Sequence, residues 1–482
     1  MEYHGHERLL RASSSDGIAE GTGNSMAEDL IRAVERVARA GLCMGCGTCE
    51  AACPEEAVRI EFDPDRGTYI PRVDGTKCSD CGFCLRTCPG QEVLFSNLEE
   101  RFLECAEHNP RLGHYDQCFT GYSLDPDIRA HCTSGGIATV LLLYALRTRL
   151  IDGALVLKAR HDVPLSAFPS IATTSEEIIA AAGSKYFPSA INRSLRSLLS
   201  QDDTRRIAVV GLPCHIHGVR KLEQHLPILS ERVVLRLGLF CANCPTCLGT
   251  EYFLWLRGIP SSDVRAVEYR AGGWPGVLRV TLKDGEKLDL PRGTTERSVR
   301  RKAEFYSAFH YDFSMPRCLI CPDQTNELAD ISLGDLWHPA ARAEESAGHS
   351  FVISRTSIGS ELLRRAVDAG EVLLRELPLR DACSAQNYGF KERVGARLYW
   401  RGLMRRPIPD YGDRDLSCRR GRLLALRYCP SYVSHHRALW PAIRIFAVLY
   451  SLSWHVGKEV YRLTRRLLQR PARRKPRPDD VE

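Results

Sequence analysis

Cys43-Met44-Gly45-Cys46-Gly47-Thr48-Cys49-Glu50-Ala51-Ala52-Cys53-Pro54 returns later in the chain as Cys78-Ser79-Asp80-Cys81-Gly82-Phe83-Cys84-Leu85-Arg86-Thr87-Cys88-Pro89. Three thiolates at x-x spacing wrap one face of an iron-sulfur cube, and the fourth, followed by proline, reaches across to the other cube. The pattern predicts two 4Fe-4S clusters. By the cross-over rule one is held by Cys43, Cys46, Cys49 and Cys88, and the other by Cys78, Cys81, Cys84 and Cys53. Zinc also uses Cys-x-x-Cys pairs, but it needs neither the third cysteine nor the proline. A module of this kind moves single electrons, so the rest of the chain is read for their destination.

Outward from this stretch, 482 residues suggest about three domains on the usual size prior. The chain has 20 cysteines, which cluster at metal spacings rather than in a short secreted framework, and this predicts a reducing cytoplasm. Residues 1–26 read as a mobile leader without a signal-peptide apolar run. The formal net charge is +7, and the eleven Lys or Arg against four Asp or Glu from Arg437 to the end account for it. A near-neutral body gives no support to nucleic-acid binding.

Residues 27–92 form the predicted ferredoxin-like unit, of α+β class. Ala27 to Ala40 has helical apolar spacing, and Val58–Phe62 and Tyr69–Val73 flank a turn-rich Asp63-Pro64-Asp65-Arg66-Gly67, the signature of a hairpin. Residues 93–127 read as a connector, with Cys105 and Cys118 as free thiols. From residue 128 to 400, helices (Ile137 to Leu150, Glu176 to Ala182, His215 to Gln224) alternate with short apolar strands (Gly153 to Lys158, Arg206 to Gly211, Val233 to Phe240). That alternation predicts an α/β domain with a largely parallel sheet. Cys214 and Cys241 each follow a strand directly, at the edge where ligands of parallel sheets gather. Cys318-x-x-Cys321 brings a further pair, so Cys214, Cys241, Cys318 and Cys321 can supply a third cluster, while Cys244 and Cys247 leave the ligand choice open. Ser134, Gly135 and Gly136 precede an apolar helix, a place suited to an anion or to an ordinary cap. Gly183-Ser184-Lys185-Tyr186 follows a helix, as a cofactor contact or a C-terminal glycine cap.

Together these blocks, with Gly211-Leu212-Pro213-Cys214, Gly238-Leu239-Phe240-Cys241, Tyr269-Arg270-Ala271-Gly272-Gly273-Trp274-Pro275-Gly276 and Ala329-Asp330-Ile331-Ser332-Leu333-Gly334-Asp335, resemble in order the coenzyme F-420 hydrogenase/dehydrogenase beta-subunit family. The resemblance runs from about Cys43 to Gly395. It implies an FAD and iron-sulfur oxidoreductase, with Ser134, Gly135 and Gly136 at the FAD phosphates and Ser184, Lys185 and Tyr186 near the flavin or its substrate. Cys214, Cys241, Cys318 and Cys321 become ligands of a cluster beside the flavin. Leu212 and His215 depart from the Thr and Gln usual in the family.

Lys185, Tyr186 and His215 are the expected positioning or proton-delivering residues, and Arg270 and Trp274 an expected clamp on an anionic planar substrate. The expected partners are a small-molecule redox substrate, such as coenzyme F-420, and a redox protein, either a ferredoxin or a dehydrogenase or hydrogenase subunit. The other class of function is a non-catalytic electron-transfer subunit; the flavin-type blocks favour the enzyme. Residues 401–482 read as an amphipathic helix and basic tail. Ile445 to Trp454 is too short to span a bilayer, which predicts at most peripheral membrane contact.

Overall fold

A computed structural model describes residues 33–105, 107–160, 163, 165–337, 348–416 and 426–453. The leader and the tail from residue 454 lie outside the described residues. The described residues begin with the helix Ala33–Arg39, pass through the first cysteine motif into the short helix Thr48–Ala52, and form a hairpin of β1 (Val58–Asp63) and β2 (Thr68–Val73). Val58 faces Val73 and Asp63 faces Thr68 in antiparallel register, as the turn-rich insert predicts. The second motif then turns through the helix Phe83–Arg86.

After a helix at Phe95–Phe102 and a ribbon of β3 (Glu107–Asn109) and β4 (Gly113–Tyr115), the main sheet starts with β5 (Gln117–Ser123). It continues with β6 (Gly153–Ala159), β7 (Ala167–Ala172), β8 (Ile207–Gly211) and β9 (Val233–Leu239). A separate three-stranded sheet of β10 (Val264–Ala271), β11 (Val277–Leu282) and β12 (Lys287–Pro291) follows, and β13 (Ile331–Asp335), β14 (Ser350–Ser354) and β15 (Val372–Glu376) return to the main sheet. The eight-stranded order is β15-β5-β14-β13-β9-β8-β6-β7.

Three differences from the sequence reading have clear causes. Only the central strands β6, β8, β9 and β13 run parallel, and every pairing outside them is antiparallel, so the sheet is mixed rather than largely parallel. β7 follows β6 after a loop too short for a crossover, which forces an antiparallel return. The predicted connector 93–127 contains β5, a strand paired on both sides in the main sheet, and its alternating small and polar residues (Gln117, Thr120, Gly121, Ser123) hid it. The predicted boundary at 401 also falls inside packed structure. Tyr411 is buried in the same apolar cluster as Ile216 and Leu222, and Arg414 pairs with Glu99 and Glu327.

The central strands are apolar on both faces because both are covered. On β6, Ala154 and Val156 pack with Ile137, Leu141 and Leu362, whereas Leu155 packs with Ile216, Val219 and Leu222. Truncating a fully buried leucine such as Leu222 to alanine costs about 2–5 kcal/mol. The ferredoxin-like unit packs directly on this second layer. Ala51 and Ala52 join its apolar cluster, the Asn192 N–H donates to the Cys46 carbonyl (2.9 Å), and Asn192 Nδ2 donates to Thr48 Oγ1 (2.9 Å).

Candidate functional site

The cross-over of the two cysteine motifs is visible in which thiols neighbour one another. Burial pushes the Cys49 thiol well above its ordinary pKa, and Cys88, Cys43, Cys46 and Cys84 push it further. Cys43 is raised by burial, then by Cys88 and Cys46, and Cys46 is pushed up to about 11 by burial and then by Cys88. Cys84 is pushed up to about 12, by burial first and then by Cys53, Cys81, Cys78 and Cys88. Cys43, Cys46, Cys49 and Cys88 thus lie together, Cys53, Cys78 and Cys81 neighbour Cys84, and Cys84 also adjoins Cys49 and Cys88. The first set lines a cavity with Val34, Val37, Met44, Ile60 and Pro71.

Thiols raised by burial and by each other are groups whose anionic form lacks a nearby cation. Iron bound there would supply it, since thiolates are the form that binds metal. Backbone N–H groups already point at sulfur, from Gly45 to Cys43 Sγ (3.2 Å) and from Ala57 to Cys53 Sγ (3.3 Å). Among the described residues no three His, Cys, Asp or Glu side chains converge as the ligands of a single metal ion would. In a cube each thiolate takes a different iron, so its ligands stand apart. The two sets fit 4Fe-4S clusters.

A third set lies at the C-terminal ends of the parallel strands. Cys214 opens the helix Pro213–His225 just after β8, Cys241 follows β9, and Cys318 and Cys321 flank a single turn, Cys318–Ile320. The Cys214 thiol is raised by burial, then by Cys46, Cys318, Cys241 and Cys321. The structure thus brings the four predicted residues together and sets them beside the first motif through Cys46. Asn326 holds the strand ends in place, donating from Nδ2 to the carbonyls of Gly211 (2.8 Å) and Leu239 (3.2 Å). Burial of Asp323 works to raise its pKa, but the bond with His217 (2.8 Å) and the charges of His217 and Arg414, with the Glu327 N–H, together hold it below the usual carboxylate range. Cys244 is a fifth thiol here, raised by burial and by Cys318, Cys241 and Cys247. Cys247 instead turns toward the Leu165 carbonyl in a separate apolar cluster.

The flavin-type residues meet at the same edge of the sheet. The Gly135 carbonyl accepts from the Ser123 N–H at the end of β5, and Ser134 Oγ donates to the His349 carbonyl (2.9 Å) beside β14. A Cβ on Gly135 would stand 2.5 Å from the Gly121 carbonyl, so only glycine lets this loop lie against the strand ends. Ser184 Oγ donates to Thr133 Oγ1 (3.2 Å), joining two blocks that lie 51 residues apart. The Tyr186 ring lies tilted against Tyr269 at 5.1 Å, and its phenol accepts from Arg292 Nη2 (3.1 Å). Arg270 donates from Nη1 to Asp335 Oδ2 (2.6 Å) at the end of β13. Its Nε and Nη2, Trp274 Nε1 and Arg292 Nε are buried without a hydrogen-bond partner. Buried donors of this kind ask for an acceptor, and several cationic ones together fit an anionic group such as a flavin's diphosphate or an acidic substrate.

Two expected proton-delivering residues turn out otherwise employed. His215 is buried, and its Nδ1 accepts from the Leu212 N–H (3.1 Å) while Nε2 donates to the Ser189 carbonyl (3.1 Å). Burial pulls its pKa down to about 4, so it is a neutral helix cap, and proton delivery finds no support there. Lys185 donates to the carbonyls of Ala181 (2.6 Å), Ala182 (3.0 Å) and Gly183 (3.1 Å), closing the end of its own helix. Burial lowers it to about 8, against a weaker opposing pull from Cys132. Arg292 and Asn326 were missed in the sequence, since neither stands in a spacing pattern.

The chain matches the N-terminal part of the model "Coenzyme F420 hydrogenase/dehydrogenase, beta subunit" over residues 118–196 and its C-terminal part over residues 204–379. A 4Fe-4S dicluster domain matches residues 42–91. The coenzyme F420 hydrogenase subunit beta of Methanothermobacter thermautotrophicus is 27% identical over 311 residues, covering 62% of this chain and 99% of that protein. The subunit of the same description from Methanosarcina barkeri is 29% identical over 271 residues, covering 54% and 82%. The coenzyme F420-dependent sulfite reductase of Methanocaldococcus jannaschii is 25% identical over 369 residues, covering 72% of this chain and 50% of that enzyme.

Proposed function

The chain belongs to the coenzyme F420 hydrogenase/dehydrogenase beta-subunit family, whose members are iron-sulfur oxidoreductases, and we propose that it is a three-cluster FAD enzyme exchanging electrons between a redox protein and a two-electron substrate such as coenzyme F420. Cys43, Cys46, Cys49 and Cys88 hold one cluster, Cys53, Cys78, Cys81 and Cys84 the second, and Cys214, Cys241, Cys318 and Cys321 the third. Clusters supply one-electron transfer, and a flavin supplies the conversion to two-electron chemistry.

The observation that carries this reading is thiol continuity. Cys84 neighbours Cys49 and Cys88 of the next set, and Cys46 neighbours Cys214 of the third. The set with an exposed member, Cys81, is the entry side, and the third set is the one at the sheet edge. There the protein's own part is positioning. Arg270 is oriented by Asp335, Arg292 by the Tyr186 phenol, and the Ser134–Gly136 loop is fixed against β5 and β14, so cationic donors are preorganised rather than recruited. Tyr186 is the phenol left as a candidate proton donor.

Anaerobic purification with iron, sulfide and flavin assay tests the reading, followed by reduction of coenzyme F420 and of other conjugated acceptors. About twelve irons per chain and bound FAD are expected. Clusters without flavin would leave the chain a pure electron carrier between proteins.

A further inference from the structure

We propose that residues 440–453 and the neighbouring loop 403–408 seat this protein on an anionic lipid surface. Residues 440–453 form a helix fixed to the body by one face: Trp440, Ile443 and Ala447 are buried, and the Trp440 ring packs against Tyr252 (5.5 Å), Phe313 (5.9 Å) and Trp255 (5.9 Å). Trp440 Nε1 donates to the Ser434 carbonyl (3.0 Å), and Arg444 donates to Glu304 (3.0 Å). With that face committed, the opposite one is apolar and open to water. Ile445 is 60% exposed, Leu449 61% and Leu452 45%, one stripe at helical spacing, with Phe446 beside it.

A second projection has the same chemistry. Leu403, Met404 and Ile408 are exposed and bracket the exposed Arg405 and Arg406. It connects to the helix through aromatic rings: the Arg406 guanidinium lies over Tyr432 (4.8 Å), and Arg427, five residues earlier, lies over Phe446 (5.2 Å) and Tyr450 (5.1 Å).

Charge selects the occupant. Between Asp415 and Glu459 the sequence has no acidic residue, while it carries Arg419, Arg420, Arg422, Arg427, Arg437, Arg444 and Lys458. Eight more Lys or Arg follow before the end of the chain. Arg427, Arg437 and Arg444 are balanced by Asp312, Glu251 and Glu304. The positive excess therefore lies in the exposed Arg405 and Arg406 and in the tail, where the eight cations stand against Glu459, Asp479, Asp480 and Glu482. An apolar stripe flanked by that excess complements a surface that is apolar beneath and negative above, which is the headgroup layer of an anionic bilayer. Spanning is ruled out for the described helices, none of which is long and apolar enough to cross a membrane.

The test is flotation of the full-length holoprotein with phosphatidylcholine vesicles, with and without about one third phosphatidylglycerol. Binding to the anionic vesicles only, weakened by salt, is expected. The double variant Ile445→Ser, Leu449→Ser is expected to bind at least about tenfold more weakly, and Arg405→Glu about fivefold, each with iron content unchanged because these side chains make no core contact. Equal binding to neutral vesicles, no binding at low salt, or undiminished binding by the double variant overturns the proposal. Capture of the helix face by a partner subunit in place of vesicles overturns it too.

Discussion

The two ends of the thiol series are built differently. In the ferredoxin-like unit all eight cysteines lie within Cys43–Cys88, and the x-x spacing alone fixes which thiols meet. At the sheet edge the four comparable thiols come from three segments spread over more than 100 residues, from Cys214 to Cys321, and meet only because β8 and β9 run parallel and Asn326 ties their ends. A local motif carries its geometry with it, whereas an assembled site depends on the sheet being in place. Damage to the first should stay confined to a cluster, and damage to the second should spread into whatever binds beside it.

The largest effect separates ligands from bystanders in the assembled site. Cys214→Ser is expected to remove about four irons per chain and to abolish electron delivery to substrate, while the N-terminal clusters keep their reduced-state spectra. Cys244→Ser is expected to retain all irons, since the Cys244 thiol, although it neighbours Cys318 and Cys241, donates to the Pro245 carbonyl (3.5 Å). Iron assay and low-temperature electron paramagnetic resonance decide it, and the reverse outcome would put Cys244 in the ligand set.

Next comes Arg270. Arg270→Leu strands the Asp335 carboxylate, which is only 13% exposed, and is expected to cost about 3 kcal/mol of stability together with bound flavin. Arg270→Lys can keep the ion pair but loses the fork that leaves Nε and Nη2 free for a ligand. It is expected to restore the melting temperature and leave flavin or substrate affinity about tenfold weaker. Full recovery of affinity with lysine would reduce Arg270 to a structural partner of Asp335.

His215 marks the limit of what the sequence could tell. The cysteine blocks, the hairpin β1–β2 and the strands β6, β8 and β9 were legible because spacing and apolar runs are local signals. β5 was not, because a strand rich in Gly, Ser and Thr is recognised by its neighbours rather than by its own pattern. In the same way, a histidine one residue after Cys214 reads as chemistry until its two ring nitrogens are traced to Leu212 and Ser189. His215→Gln offers an amide acceptor and donor in similar places, so kcat and KM are expected to change by less than about twofold. A tenfold fall in kcat with a shifted pH profile would make His215 a proton donor after all.

The smallest expected effect concerns Lys185, where the two building styles meet in one residue. Its ammonium closes a helix locally, yet it is desolvated by a site assembled from afar, and burial lowers its pKa to about 8. The unfolded chain keeps the lysine near its ordinary value, so between about pH 8 and 10.5 the unfolded state binds more protons than the folded one. Folding stability contributed by this group therefore rises with pH across that window, and charging Lys185 in the folded protein opposes folding below it. Lys185→Met removes that opposition but leaves the carbonyls of Ala181, Ala182 and Gly183 without their donor, two effects of similar size, so the net change at neutral pH is expected within about 1 kcal/mol. The difference between wild type and variant should shift in favour of the wild type as unfolding is followed from pH 7.5 to 10.5. A difference constant with pH would mean that Lys185 is solvated, and that the edge of the sheet beside Cys132 is far wetter than its packing implies.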